Sequence, residues 1–300
     1  NYDRTWVRKE PVHDALGRFL WAIGTVMANP PSPSYLPIIK DSFDKTVKLV
    51  KKQYPRGRAY AILGMNDYLK QFPGASDIKR RLTAAADTLV SLYEKNSSPD
   101  WQWFEDQLTY DNAILPCALF DAALSFGEPY LSVAEKTCQF LLENTFDGNR
   151  FSFVGCKGWY KRGQKKAKFD QQPLEAASTI MMLRAAFEAT LDPQYLKMQR
   201  KAFDWFLGEN DLHIPVYDFR TKGSGDGLER NGVNLNQGAE SMVSFLLSLL
   251  CILESYSTRP GGAGEEASLF TEEVGSNRVG TSIIEIPAKK KATQTVKSRD

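Results

Sequence analysis

The sequence predicts an all-α domain, an (α/α) toroid in which inner and outer helices alternate around a ring. Three observations carry this. Apolar residues recur at three- and four-residue spacing in segments near 14–28, 37–53, 57–71, 75–95, 111–126, 128–145, 173–190, 192–208 and 237–256. Those segments are of two kinds, and the kinds alternate along the chain. The buried kind recurs without any repeated sequence, which favours a closed ring over an open solenoid of stacked hairpins.

The first segment carries FLWAIGTVMA, apolar on nearly every side, so burial all round is expected. PSPS precedes the second, which is amphipathic with Lys and Asp on one face. The third holds the small and apolar AILG, and PGAS opens the charged-faced fourth. The fifth ends in ILPCALFDAALSF, and GEP punctuates the start of the amphipathic sixth. EAASTIMMLRAAF marks the seventh as buried, Asp192-Pro193 starts the half-exposed eighth, and AESMVSFLLSLLCIL marks the ninth as buried. Strand evidence is confined to 151–160, where FSFV and GWY around Gly155 and Gly158 predict a small β-hairpin. Residues 209–235 have no helical period and are too long for a plain connection, so a lid or rim is expected there. Residues 257–300 are Gly-, Glu- and Ser-rich and end in AKKKATQTVKSRD, the composition of a disordered tail. The ring is therefore assigned to residues 1–256.

At 42% hydrophobic and 25% charged the chain can bury a sizeable core, and a net charge of +2 gives no global basic field for nucleic acid. The longest apolar run, Phe245 to Leu253, is far short of the roughly 20 residues of a bilayer span. There is no leader-like N-terminus, and a cytoplasmic location is expected. A chain that starts at Asn1 rather than Met is expected to be a fragment or a processed form. Cys117, Cys138, Cys156 and Cys251 show no CxxC spacing and are read as buried thiols. Neither metal nor cofactor is expected: GSGDG lacks the ending of a phosphate loop, and no EF-hand spacing occurs.

The polar motifs gather just before, or in the first turn of, the buried helices. DALGR opens the first, RGRAY the second, WFEDQLTYDN the third, QQPLE the fourth and NLNQGAE the fifth. In a ring of parallel inner helices these starts converge on one opening, and a helix N-terminus tolerates carboxylates. Taken singly, each motif has an ordinary explanation. Glu175 can close a capping box with Gln171 or Gln172, Asn236 can cap the last helix, and Asp14 with Arg18 can form an i,i+4 pair. Capping does not call for Trp101, Trp103, Tyr110 and Trp159 in the adjoining loops. Aromatic faces beside carboxylates and amides suit a sugar, because the rings stack on C–H patches while the polar groups take hydroxyl hydrogen bonds. Hydrolysis of a glycosidic bond needs one protonated acid and one carboxylate. Asp106 or Glu105, among aromatics, is the candidate acid, and Asp111, Glu175 and Glu240 are candidates for its partner. Asp14, Arg18, Asn112, Gln172, Asp226, Asn236 and Gln237 are candidates for substrate binding. Epimerisation would lean on a histidine base, and only His13 and His213 exist. A non-catalytic sugar-binding or accessory module is the alternative.

The motifs NYDRTW, DALGRFLWAIG, WQWFEDQLTYDNAILPCAL, QPLEAAS, AFDWFLGENDLHIPVYD, GSGDGL and NLNQGAES, in this order over residues 1–256, resemble the bacterial six-hairpin, (α/α)6-toroid glycosidase-like domain found beside or fused to glycosyltransferases. The resemblance implies carbohydrate chemistry and a glycosyltransferase as partner. It also implies further helices upstream, one opened by an acid-rich motif, so that about nine of twelve helices are present here.

Overall fold

In the computed structural model, residues 3–5 and 13–257 are described. The helices are α1 (His13–Ala28), α2 (Leu36–Thr46), α3 (Pro55–Gln71), α4 (Ser76–Asn96), α5 (Ile114–Phe126), α6 (Tyr130–Thr145), α7 (Pro173–Thr190), α8 (Gln194–Leu207) and α9 (Ala239–Ser257). Prolines at the first turns of α3 and α7 start them where a missing N–H costs nothing, and Gly127 and Gly208 end α5 and α8 at positive φ. The segment expected as one helix over 37–53 is α2 followed by a 3₁₀ turn at Val47–Lys52.

Two layers alternate as the sequence predicts. α1 packs on α3, α3 on α5 and α5 on α7, which makes the inner layer. α4 covers α3 and α5, α6 covers α5 and α7, and α8 covers α7. α9 joins through Phe245, whose ring meets Phe203 and Phe206 of α8, and through Gln199 Nε2, which donates to Cys251 Sγ at 3.3 Å. The fold is an incomplete (α/α) toroid. By length and composition α9 is also apolar enough to cross a bilayer, with mean hydropathy 1.4 over Ala239–Tyr256. Here its Phe245, Cys251 and Ile252 are core residues of the ring. Cys117, Cys138 and Cys251 are buried and Cys156 is half-buried; all four are free thiols.

The inner seam between α1 and α3 is unusually close. A Cβ on Gly17 would lie 2.2 Å from the carbonyl oxygen of Gly57, and one on Gly24 would lie 2.4 Å from that of Gly64. The two glycine pairs are one heptad apart on both helices, so the backbones run in direct contact for two turns.

The β structure differs from the expected hairpin at 151–160. Tyr160–Lys161 (β2) pairs antiparallel with Gln107–Leu108 (β1), which lies far upstream in the chain. Gly155 lies so close to the Phe169 carbonyl that a Cβ there would be 2.0 Å from it, and Gly155 N–H donates to Ala167 O at 2.7 Å. The glycines thus let 151–160 fold against 167–170 instead of on itself. The 209–235 rim contains two short hairpins, Tyr217–Asp218 (β3) with Gly223–Ser224 (β4), and Gly227–Glu229 (β5) with Gly232–Asn234 (β6). Ser257 closes α9, and the tail expected beyond it lies outside the described residues, as does half of NYDRTW.

Candidate active site

The starts of the inner helices meet at one end of the ring. Arg18 on α1 is the hub: Nη1 lies 3.2 Å from Glu240 Oε2 on α9, and Nη2 lies 3.8 Å from Asp111 Oδ2, just ahead of α5. Its guanidinium also lies over the Tyr60 ring of α3, 5.0 Å from the centroid. Below this polar rim is a cavity of about 290 Å³, near the lower end of the range for small-molecule sites. Its wall includes Trp21, Tyr60, Ile114, Met181, Val243 and Leu247. Trp21 and Tyr60 are stacked with centroids 5.8 Å apart.

Asp111 is the most unusual residue of the site. It is 1% exposed, it lines the cavity, and both carboxylate oxygens lack a hydrogen-bond partner. Its backbone has φ of 48°, the left-handed region that costs a non-glycine residue about 1–2 kcal/mol. Burial raises its pKa to about 6, against the opposing pull of Arg18. The Ser178 hydroxyl, which donates to Leu174 O at 3.1 Å, lies close enough to add a smaller downward pull.

Glu175 explains how that strained turn is held. Its carboxylate accepts the backbone N–H groups of Asp111 and Asn112, and Asn112 Nδ2 at 3.0 Å. It therefore ties the start of α7 to the start of α5 and does not close a capping box on its own helix. Asn112 completes the turn by accepting Thr109 N–H at 2.8 Å and donating to Thr109 O at 2.6 Å. Burial, then the neighbouring Asp111 charge, pushes Glu175 up to about 7. α7 itself is seated by Gln171, fully buried, whose Oε1 accepts Phe153 N–H and Trp205 Nε1–H and whose Nε2 donates to Asp211 at 2.6 Å. QQPLE places Gln171 at the start of α7, but its role in seating that helix is visible only in the structure.

This arrangement fixes a pH dependence. Carboxyls whose folded pKa is raised contribute stability that is complete below their unfolded values, 3.8 and 4.5, and is lost as pH rises through about 6 and 7. The thermal midpoint of the wild-type protein is expected to fall across that window, and that of Asp111→Asn to fall less. Parallel melting curves for the two proteins from pH 4 to pH 8 would contradict the assignment.

The other expected site residues occupy several places. Asp14 accepts the Tyr110 hydroxyl and does not pair with Arg18. Arg56 holds Glu105 at 2.8 Å, donates to Tyr110 O, and lies over the Tyr110 ring at 4.7 Å. Glu105 and Tyr110 thus brace the loop ahead of α5. Asp106 is exposed, on a shelf with Gln107, Lys161 and Arg162 away from the cavity. Trp101 and Trp103 are 2% and 0% exposed and pack against Phe140, so they plug the space between loop and outer helix instead of facing a ligand. Trp159 stands at φ of 58° in the 155–170 loop, and its carbonyl accepts Ala167 N–H. Gln172 is the N-cap residue of α7 without a side-chain cap bond. Asp226 accepts Gly238 N–H at 2.7 Å, Ser241 Oγ at 2.6 Å and Asn236 Nδ2, so it caps α9 from the rim. That leaves the Glu240 side chain free for Arg18. Gln237 donates to Thr221 Oγ1 at 2.8 Å. Among the described residues, no cluster of three or more His, Cys, Asp or Glu is arranged to hold a metal ion.

No family model matches the chain, and no curated protein matches it in sequence. Solved structures do match in fold. A D-mannose isomerase aligns at TM-score 0.57 and 13% identity, covering 86% of this chain and 74% of its own. The family 76 α-mannanase BT2949 of Bacteroides thetaiotaomicron aligns at TM-score 0.56 and 11% identity, covering 81% and 70%. A sugar epimerase from a ruminal bacterium aligns at TM-score 0.51 and 11% identity, covering 82% and 75%. At such identities the likeness establishes that this chain shares their fold, here an incomplete (α/α) toroid.

Proposed function

We propose that this domain is a carbohydrate-active enzyme, a glycoside hydrolase in which Asp111 and Glu240 act across the cavity. The observation that carries the reading is Asp111: a buried carboxyl with no hydrogen-bond partner and only Arg18 near it at 3.8 Å, on a strained backbone, opening into a cavity. Strain and an unsatisfied buried acid cost stability, and proteins keep such costs at working sites. A carboxyl titrating near 6 is protonated often enough to serve as general acid. Glu240, half-exposed and held by Arg18, supplies the second carboxylate. The Arg18 bridge bounds their separation, and the bound admits both retaining and inverting geometries. Trp21 and Tyr60 offer ring faces for a pyranose. Glu175 and Asn112 position Asp111 without entering the cavity. The fold shared with a mannanase, an isomerase and an epimerase supports carbohydrate chemistry. Hydrolysis is favoured over histidine-based epimerisation because neither histidine lines the cavity: His13 packs on Tyr54, and His213 faces Arg150.

The test is a screen of the protein against oligosaccharides, with release of reducing ends as readout. Turnover by the wild type, and its loss in Glu240→Gln with binding retained by calorimetry, is the expected result. Saturable binding without turnover in any protein would point to a sugar-binding module, the accessory role expected beside a glycosyltransferase. Neither binding nor turnover would overturn the carbohydrate reading.

A further inference from the structure

A second cavity, of about 540 Å³, lies apart from the candidate active site, between the 155–170 loop and the tip of the β5–β6 hairpin. Its size is within the range of about 300–1,000 Å³ that holds small molecules. Four cations line it, Lys157, Lys166, Lys168 and Arg230, against two carboxylates, Asp170 and Glu229. Both carboxylates already have partners. Asp170 lies 3.0 Å from the Lys157 amine, and Glu229 accepts Asn234 Nδ2–H at 3.1 Å. Lys168 is held by Asp211 at 2.8 Å. Lys166 and Arg230 are left over: among the described residues neither forms an ion pair. Arg230 is exposed and lies over the Phe169 ring, 5.9 Å from the centroid.

Lys166 is the more telling of the two. Its amine is drawn in to donate to Asn144 O at 2.7 Å and Ser152 O at 2.6 Å. Carbonyls satisfy its protons but bring no countercharge. Burial lowers its pKa to about 8; Asp211 and Asp147 pull it up, and Lys168 pushes it down. A strut between the end of α6 and the loop would account for the two hydrogen bonds. It leaves unexplained why three further cations gather on the same cavity. An anion among them supplies the missing countercharge, in a partly buried place where such a pairing is worth more than in water. The two walls are already joined. Phe169 and Asp170 run directly into Gln171, which exchanges both backbone hydrogen bonds with Leu228 of β5, at 3.0 and 2.8 Å. The cavity therefore need not be assembled on binding.

We propose that this cavity binds a small-molecule oxyanion, a carboxylate or phosphate group held between Lys166 and Arg230. The Arg230 guanidinium offers a planar fork to a pair of oxygens, and the Lys166 amine adds a compact charge. Lys157 and Lys168 are more than half exposed and draw the anion toward the opening. The site is independent of the chemistry proposed at Asp111 and stands whether or not that reading holds.

The test is calorimetric titration of the full chain at pH 7 and low salt with inorganic phosphate and with glucuronate, glucose being the neutral control. The expected result is saturable binding of at least one anion and none of glucose; which anion binds more tightly tells phosphate from carboxylate. In Arg230→Ala the affinity falls by about tenfold or more. The replaced side chain is exposed and makes no ion pair, so the thermal midpoint stays at the wild-type value. A second readout is pH. Glucuronate keeps its charge from pH 7 to pH 9, whereas Lys166 loses its proton on passing about 8, so wild-type affinity falls over that interval. In Lys166→Met binding is weaker and level across it. Cys156, raised by burial, and Lys157, raised by Asp170, do not change charge there. Binding of neither anion, equal binding of glucose, unchanged affinity in Arg230→Ala, or a level wild-type pH profile each overturns the proposal.

Discussion

Asp111→Asn is expected to lower turnover by about 10²–10⁴-fold, the usual contribution of a general acid, while the protein becomes no less stable. Three features set this sign. Asparagine tolerates the left-handed backbone at least as well as aspartate, so φ of 48° is no obstacle. The replacement is isosteric, so the N–H bonds from residues 111 and 112 to Glu175 survive. It also removes an acid buried without a hydrogen-bond partner, which is a cost to the folded state near neutral pH. A residue whose removal stabilises the fold and stops the chemistry is one retained for function. Asp121 on α5 supplies the control. It too is raised to about 6 by burial, but it belongs with Asn66 and Lys70, toward the far end of the inner helices. Asp121→Asn is expected to leave turnover within a factor of about two of wild type, on the scale where 1.4 kcal/mol is tenfold. Equal losses in both variants would mean that burial, not position, explains the effect. The pH profile gives a second check, because the acidic limb of a bell-shaped rate curve reports the base and the alkaline limb reports the acid.

The fold was legible because helical periodicity is a local property. The alternation of all-apolar with one-sided segments separates α1, α3, α5, α7 and α9 from their covering partners, and the structure keeps that order. The convergence of polar helix starts was legible for the same reason, and Arg18, Asp111, Glu175 and Glu240 do meet. What the sequence could not supply was which groups face inward. WQWFEDQLTYDN reads as one aromatic-acidic cluster, yet Trp101 and Trp103 turn into the core while Asp106 turns to water. Trp21, which does line the cavity, sits inside an apolar run, and Tyr60, at the end of RGRAY, leads straight into AILG, so both look like ordinary packing. KRGQKKAK reads as a solvated loop, but the Lys166 amine is drawn in to donate to Asn144 O and Ser152 O, and burial lowers its pKa to about 8. The hairpin expected at 151–160 failed because the pairing partner of Tyr160 is Leu108, far away in sequence. Each miss is a non-local contact, which periodicity does not encode.

The second large effect concerns the seam that aims Arg18. Gly64→Ala is expected to destabilise the protein by about 1–3 kcal/mol through overpacking. Helix propensity alone predicts the opposite sign, a gain of up to about 1 kcal/mol for replacing a helical glycine by alanine. The steric term wins because the new Cβ would lie 2.3 Å from the Leu20 carbonyl oxygen, and that contact is with backbone, not with a side chain that can swing away. Relief requires α1 to lift off α3. Arg18 and Trp21 sit on α1 within a turn of that contact, whereas Asp111 is anchored to α7 through Glu175. Lifting α1 therefore separates Arg18 from Asp111 while leaving the acid in place. The paired measurement is a melting curve together with substrate affinity, both of which should worsen. Gly74→Ala, where nothing lies within 4 Å of the new Cβ, is expected to be neutral or slightly stabilising. If Gly64→Ala raised the thermal midpoint as Gly74→Ala can, α1 would not be in backbone contact with α3. The reach of Arg18 across the cavity would then need another explanation.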